Sequence, residues 1–398
     1  MKNMVYIQSG GPTSVINSSL YGAFIEAAQH EEIGHIFGSV NGVEGLIDDK
    51  LFDLKEEDPH QIELLKQTPG AALGTTRRKL PKDINDPVYL QIVENIKKHD
   101  IGYVFVNGGN DSMDTCNKLA ILTKQLNLDV RVIGVPKTID NDLACTDHTL
   151  GFPSAAKAVI NEIYAISKDA LCYKVGKFHI VEIMGRNAGW LTAAADLCPE
   201  DGRPDLIYLP ENEFDIEQFV KDVEEVHKEK DYGIIVVSEG LKFERKANSE
   251  VDSFGHMQLS GTGKDLAAII EERLGLKSRV VELSVLQRAN PFLLSKTDRD
   301  EAIEVGRFAV KQALKGETGQ MVIIKRVSSV PYVTKFELAP LELVANAEQV
   351  VPQEMMQGKK RMADSFREYL RPLIQGEVEL SYKGGIVELT TFKKEVKR

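Results

Sequence analysis

Short apolar, β-branched runs recur along this chain, each closing in a glycine-rich or polar turn that leads into a segment of helical periodicity. That alternation restricts the fold to α/β, with mainly parallel sheets flanked by helices. Parallel strands need crossover connections, and the crossing helices bury both sheet faces. The first run, residues 4–8, is followed by Ser9-Gly10-Gly11-Pro12-Thr13 and a helix over 15–28. The second, 103–107, leads through Gly108-Gly109-Asn110-Asp111-Ser112 into a helix reaching Leu126, and a strand at 130–135 ends at Pro136. A third unit has a strand at 178–183, the turn Met184-Gly185-Arg186-Asn187 and an Ala-rich helix through Ala195. Further strands are expected at 206–209, 233–237, 280–286 and 321–327, with a helix over 298–314. About eight strands suit two lobes better than one, since open sheets usually hold ~4–6. Residues 50–59 and 243–263 read as surface loops. Beyond Val351, Lys359, Lys360 and Arg361 open a helix, followed by a hairpin around Lys383-Gly384-Gly385, as a terminal embellishment.

Forty-nine basic residues against 60 acidic ones leave a net charge of -11, which argues against general binding to nucleic acid or to a membrane surface. The N-terminus MKNMVYIQSGGP carries no secretory leader, and no apolar run approaches the ~18 residues that span a bilayer, so a cytoplasmic protein is expected. Cys116, Cys145, Cys172 and Cys198 form no C-x-x-C pair, so neither a disulfide framework nor a zinc site is expected.

In open α/β sheets, ligands bind beyond the carboxyl ends of the strands, where glycine turns and helix N-termini present backbone N–H groups to anions. Gly10-Gly11 and Gly108-Gly109 occupy such places, though each pair taken alone serves equally well as a tight turn. The densest constellation is Pro136-Lys137-Thr138-Ile139-Asp140-Asn141-Asp142, directly after a strand. Two carboxylates two residues apart, near a lysine, suit a site where one takes a proton and the other positions metal or substrate. Arg186 at its turn suits bidentate phosphate recognition. Arg77, Lys177, Arg279 and Arg288 are further cations beside strand or loop signals, and Glu239 is the acidic counterpart.

These residues resemble the phosphofructokinase family. The matching pieces are S-G-G-P at 9–12, L-G-T-T-R at 73–77, G-G-N-D-S at 108–112, P-K-T-I-D-N-D at 136–142, M-G-R at 184–186, S-E-G at 238–240 and L-Q-R at 286–288, in the family's order across residues 4–350. The resemblance implies two Rossmann-like lobes. Residues 1–150, completed by 288–335, would bind the phosphoryl donor, 151–287 the sugar phosphate, and 351–398 would form a C-terminal extension. It implies Asp140 as the base that deprotonates the sugar 1-hydroxyl, flanked by Thr138 and Asp142. Met184, Gly185, Arg186, Glu239 and Arg288 would contact the sugar phosphate. Lys177 and Arg279 match positions from which the family supplies cations to a neighbouring subunit, implying a homodimer or homotetramer.

Two departures bear on the donor. ATP-using members read G-G-D-G-S and P-G-T-I-D-N-D, whereas this chain has Asp111 and Lys137 at the glycine positions. A carboxylate at Asp111 repels a nucleotide, and the Lys137 ammonium suits the compact charge of pyrophosphate, which resembles the pyrophosphate-dependent branch. The donor would meet Gly11, Arg77, Gly108, Gly109, Asp111 and Lys137, with catalysis resting on Asp140, Lys137 and Arg186. Mg²⁺ is the implied cofactor, at Asn110 and Asp111. Asn110 stands where the family has an aspartate, and an amide oxygen is a weaker ligand for a hard cation. Val285 and Ala289-Asn290 also depart from the family's sugar-site pattern. The competing readings are an ATP-dependent kinase of the same fold, a non-catalytic sugar-phosphate sensor, and a NAD or lipid kinase.

Overall fold

The computed structural model describes residues 1–174, 176–244, 261–345, 347–358 and 360–396. In chain order the strands are β1 (Lys2–Gln8), β2 (Ile33–Ser39), β3 (Leu51–Asp53), β4 (Ile101–Gly108), β5 (Arg131–Pro136), β6 (Phe178–Ile183), β7 (Leu206–Tyr208), β8 (Gly233–Ser238), β9 (Ser278–Glu282), β10 (Gln320–Ser329) and β11 (Tyr332–Pro340). The longer helices are α1 (Ile16–Ala27), α2 (Pro87–Lys98), α3 (Asn110–Gln125), α4 (Phe152–Ala170), α5 (Ile216–Glu229), α6 (Thr262–Leu274) and α7 (Lys296–Leu314). They fall into two units. The first holds Met1–Ser154, Arg288–Glu348 and Gln375–Arg398, the second Ala155–Gln287 and Gln349–Ile374.

The first unit is built on a sheet of order β11-β10-β5-β4-β1-β2-β3. Its inner pairs are parallel, and the edge pairs β2–β3 and β10–β11 are antiparallel. Successive residues of β1 enter different cores: Val5 and Ile7 join one apolar cluster, Met4 and Tyr6 another. This two-sided burial explains why β1, β4 and β5 read as continuous apolar runs rather than alternating ones. α1 packs on α7 closely enough that a Cβ at Gly306 would lie 2.1 Å from the Ser19 carbonyl oxygen. The strand order reverses between β1 and β4, so their carboxyl ends flank a topological switch point.

The second unit carries a fully parallel sheet of order β7-β8-β6-β9. Phe178, Ile180, Ile235, Val237, Phe219 and Leu266 pack one of its faces.

Several expectations are corrected. Residues 50–59 are no exposed loop: Leu51, Phe52, Asp53 and Leu54 are buried, and β3 completes the sheet edge. The strand expected at 280–286 stops at Glu282, and Ser284–Gln287 forms a 3₁₀ turn that leaves Val285 and Leu286 exposed. Instead of a helix opening at Lys360 and Arg361, Met356–Gln357 pairs with Arg361–Met362, and the helix begins at Asp364. Lys359, and residues 245–260 of the expected 243–263 loop, lie outside the described residues. The hairpin at Lys383 is present as Tyr382–Lys383 against Ile386–Val387.

The C-terminal stretch is structural in both units. In the first, Phe392 packs on Phe52 with ring centroids 6.0 Å apart, and Gln67 Nε2 donates to the Glu388 carbonyl at 2.7 Å. In the second, Arg367 Nη2 lies 2.5 Å from Asp196 Oδ2, a carboxylate with 0% exposure, and Lys360 pairs with buried Asp222. Removing one partner of a buried ion pair leaves an uncompensated charge. Arg367→Ala is therefore expected to lower the unfolding free energy by about 3 kcal/mol, read from the urea midpoint. Removal of the exposed partner, Asp364→Ala, should change it by less than about 0.5 kcal/mol.

No helix among the described residues is long and apolar enough to cross a membrane. The cysteines are free: Cys116 and Cys198 are buried, Cys145 is partly exposed and Cys172 exposed.

Candidate active site

In the first unit the three sequence motifs converge because β1, β4 and β5 are adjacent and parallel. Gln8 aligns with Asn107, and Gly108 with Pro136. The glycine turns are required rather than merely tolerated at two places. Gly10 has φ +78°, a left-handed conformation that L side chains rarely adopt, and a Cβ on Gly108 would lie 2.1 Å from Ser112 Oγ. The L-G-T-T segment clasps the first turn, with Gly10 N donating to the Thr76 carbonyl at 3.0 Å and Thr75 Oγ1 to the Gly10 carbonyl at 2.7 Å. α3 starts at Asn110 with no side-chain cap on its N-terminus, as suits an anion site.

Lys137 is 2% exposed, and its ammonium donates to the Gly11 carbonyl at 2.5 Å. Burial pushes its pKa down to about 8; Asp140 and Asp142 oppose that shift, while Arg288 and Arg77 add to it. Arg288 is close enough that a Cβ on Gly11 would meet its Nη1 at 3.3 Å. Lys137, Arg288 and Arg77 thus form a cationic group beside two carboxylates, a charge distribution that an incoming polyanion would relieve.

The Thr138–Asp142 loop is internally braced. Asp140 N donates to Thr138 Oγ1 at 3.1 Å, and Asn141 sits at φ +55° with its Oδ1 accepting from Thr149 N at 2.9 Å. The Asp142 carboxyl is pushed up to about 7, first by burial and then by the charge of Asp140. Asn110 Nδ2 donates to Asp142 Oδ2 at 3.3 Å, while Asn110 Oδ1 and Asp142 Oδ1 are buried without a hydrogen-bond partner. Two orphaned hard oxygens fit a hard divalent cation. Asp111, although adjacent in sequence, is 65% exposed and pairs with Lys79 Nζ at 3.0 Å. Successive helical residues point about 100° apart, so Asp111 is turned away from Asn110, and the carboxylate beside Asn110 is Asp142 rather than the expected Asp111.

In the second unit, parallel pairing of Ile183 with Ser238 brings M-G-R and S-E-G together. Gly185 N donates to Glu239 Oε1 at 3.3 Å, Ser238 Oγ to the Gly185 carbonyl at 2.5 Å, and Met184 N to Gln287 Oε1 at 3.3 Å. Gly240 is obligatory, because a Cβ there would lie 1.9 Å from the Arg186 carbonyl oxygen. Lys177 and Arg279 are not brought to this cluster. They lie at the amino-terminal side of β6 and β9, about 20 Å from Met184 along the strand. Both are exposed, and Arg279 pairs with Asp169 at 3.5 Å.

Two contributors escaped the sequence reading: Thr149, and the buried Glu182, which accepts from Gly263 N at 2.7 Å; Gln287, although within L-Q-R, is assigned no role there. An asparagine at the left-handed loop position is the one local signal that a clamp such as Thr149 must exist.

Uncapped anion-binding turns, a buried lysine and a carboxylate at adjacent strand ends define a phosphoryl-handling α/β protein. The Phosphofructokinase family model matches residues 3–313. The chain belongs to the phosphofructokinase family. The pyrophosphate–fructose 6-phosphate 1-phosphotransferase of Halomonas elongata is 39% identical over 404 residues, covering 98% of this chain and 96% of its own. A sulfofructose kinase from Alkalicoccus urumqiensis is 33% identical over 370 residues, covering 92% and 94%. The crystal structure of a pyrophosphate-dependent phosphofructokinase from Marinobacter aquaeolei superposes with a TM-score of 0.91 at 34% identity, covering 100% of this chain and 98% of that one. Enzymes of this family act on small-molecule substrates and generally use a divalent metal.

Proposed function

We propose that this protein transfers a phosphoryl group from pyrophosphate to the 1-hydroxyl of fructose 6-phosphate, giving fructose 1,6-bisphosphate and phosphate in a reversible step of glycolysis and gluconeogenesis. The observation that carries the reading is the buried Lys137 ammonium against Gly11, with Asp111 on the first turn of α3. A compact dianion satisfies Lys137, Arg77 and the uncapped N–H groups, whereas Asp111 repels the extended phosphate chain of a nucleotide. Pyrophosphate-dependent relatives at high coverage support the same donor.

In the mechanism, Asp140 accepts the proton of the sugar 1-hydroxyl as that oxygen attacks phosphorus, and the bridging P–O bond breaks to release phosphate. Lys137, Gly11 and the Gly108-Gly109 turn hold the transferring group and balance its charge. Met184, Gly185, Arg186, Glu239 and Arg288 bind the sugar phosphate, with Arg186 also offsetting charge in transfer. Asn110 and Asp142 would hold Mg²⁺, whose chemistry is charge neutralisation of the diphosphate. Lys177 and Arg279, remote from their own chain's Met184, would serve the acceptor site of a second copy in a cytoplasmic homodimer or homotetramer.

Lys137 carries its charge below about pH 8 and loses it above. Accordingly kcat/KM for pyrophosphate should fall as pH rises through that value, and Lys137→Met should abolish the limb in initial-rate profiles. Phosphorus NMR with pyrophosphate, Mg²⁺ and either fructose 6-phosphate or its 6-sulfonate analogue tests the overall reading. A new C1 phosphate ester on the 6-phosphate supports it. An ester only on the sulfonate would move the acceptor to that of the Alkalicoccus relative.

A further inference from the structure

Beneath the reacting groups, the first unit contains a second tier of buried charge. His148 is fully buried, with Nε2 2.8 Å from Glu301 Oε2 and Nδ1 2.9 Å from Asp147 Oδ2. Burial disfavours a charged ring, but Glu301 and Asp147 outweigh it and push the pKa up to about 9. Glu301 also accepts from Tyr332 Oη and Thr334 Oγ1, each at 2.9 Å, and Arg326 Nη2 lies 2.9 Å from Asp147 Oδ2. Three residues before Glu301 on α7, buried Asp298 accepts from Gly151 N at 2.9 Å and from Ser154 Oγ at 2.6 Å.

Segment 147–154 is therefore pinned to α7 at both ends, and its middle grips the catalytic loop. Thr149 N donates to Asn141 Oδ1 at 2.9 Å, Thr149 Oγ1 to the Thr138 carbonyl at 2.7 Å, and Thr138 N to the Leu150 carbonyl at 3.2 Å. Asp140 stands between the two gripped residues. We propose that Glu301 and His148 are positioning residues, which act through Thr149 to fix Asp140 for proton transfer. None of them needs to touch a reactant. A carboxylate on a short loop after a strand has few restraints of its own, and misplacement by about 1 Å costs up to about 10²-fold in rate.

This rests on Asp140 as base, which the Asp140→Asn variant tests independently. The direct test is a double-mutant cycle on kcat of the full chain, combining Glu301→Ala with Thr149→Val. Each single variant is expected to lower kcat by about 10- to 100-fold, with KM for both substrates changed less than about threefold, because alignment rather than binding is lost. The double variant should stay within about threefold of the worse single one, because both cut the same relay. Glu301→Gln, which keeps an acceptor for His148, should recover most of the rate. Fully multiplicative losses, or singles that lower only the melting temperature with kcat per folded molecule unchanged, overturn the proposal. If Glu301→Ala does not fold, the same cycle with His148→Gln in its place, which removes the ring that joins Glu301 to Asp147, decides on the same criterion of additivity.

Discussion

Asp140→Asn is expected to lower kcat by about 10²- to 10⁴-fold, the range for loss of a general base, as measured by initial rates on the purified variant. The change is nearly isosteric, and the backbone bond from Asp140 N to Thr138 Oγ1 is untouched, so the loop should keep its shape. What disappears is the acceptor for the sugar proton. A second effect accompanies it. Asp140 is the strongest influence raising the Lys137 pKa against burial. Without that charge the lysine should lose its proton at lower pH, and the alkaline limb for pyrophosphate should move below its position near pH 8. Near-normal turnover in the variant contradicts the base assignment.

The second large effect concerns donor choice. Replacing Asp111 and Lys137 together by glycine should reduce kcat/KM for pyrophosphate by at least about 10²-fold, roughly two charge-assisted contacts at the lower end of their range. It should also allow turnover with ATP. In the proposed reading Lys137 would contribute the attraction and Asp111 the repulsion, giving specificity both a positive and a negative component. Because a glycine leaves a void where Lys137 is buried, Lys137→Met serves as the control for packing. It should show a similar fall in kcat/KM for pyrophosphate, with a residual rate that no longer depends on pH near 8, while retaining stability. Unchanged donor preference in the double variant would favour the ATP-dependent reading of the same fold.

Much of this site is legible in the chain itself because its turns follow strands buried on both faces. β1, β4 and β5 announce themselves as apolar runs, and their glycine turns follow directly. Elements at the sheet margin are harder to read. β2 carries two glycines and a histidine, and β11 alternates polar and apolar residues as a partly covered edge strand does. The buried state of Lys137 is likewise invisible locally, since a lysine after a proline reads as a solvated turn. Its partner is the Gly11 carbonyl, contributed by a different strand end. That Asn110 faces Asp142 while Asp111 turns out to Lys79 depends on helix phase and on a loop from another strand end. The tail misleads for a similar reason. Its basic residues resemble a solvated run, but Arg367 and Lys360 neutralise carboxylates buried far away in sequence.

Lys137 and Asp111 are proposed to make pyrophosphate the donor. The most direct measurement is the initial rate of fructose 1,6-bisphosphate formation from fructose 6-phosphate and Mg²⁺, with pyrophosphate or ATP supplied separately to the purified protein. Product with pyrophosphate and none above background with ATP is the predicted result. Product with ATP alone would keep the family and contradict the donor assignment, and absence of product with either would contradict catalysis itself.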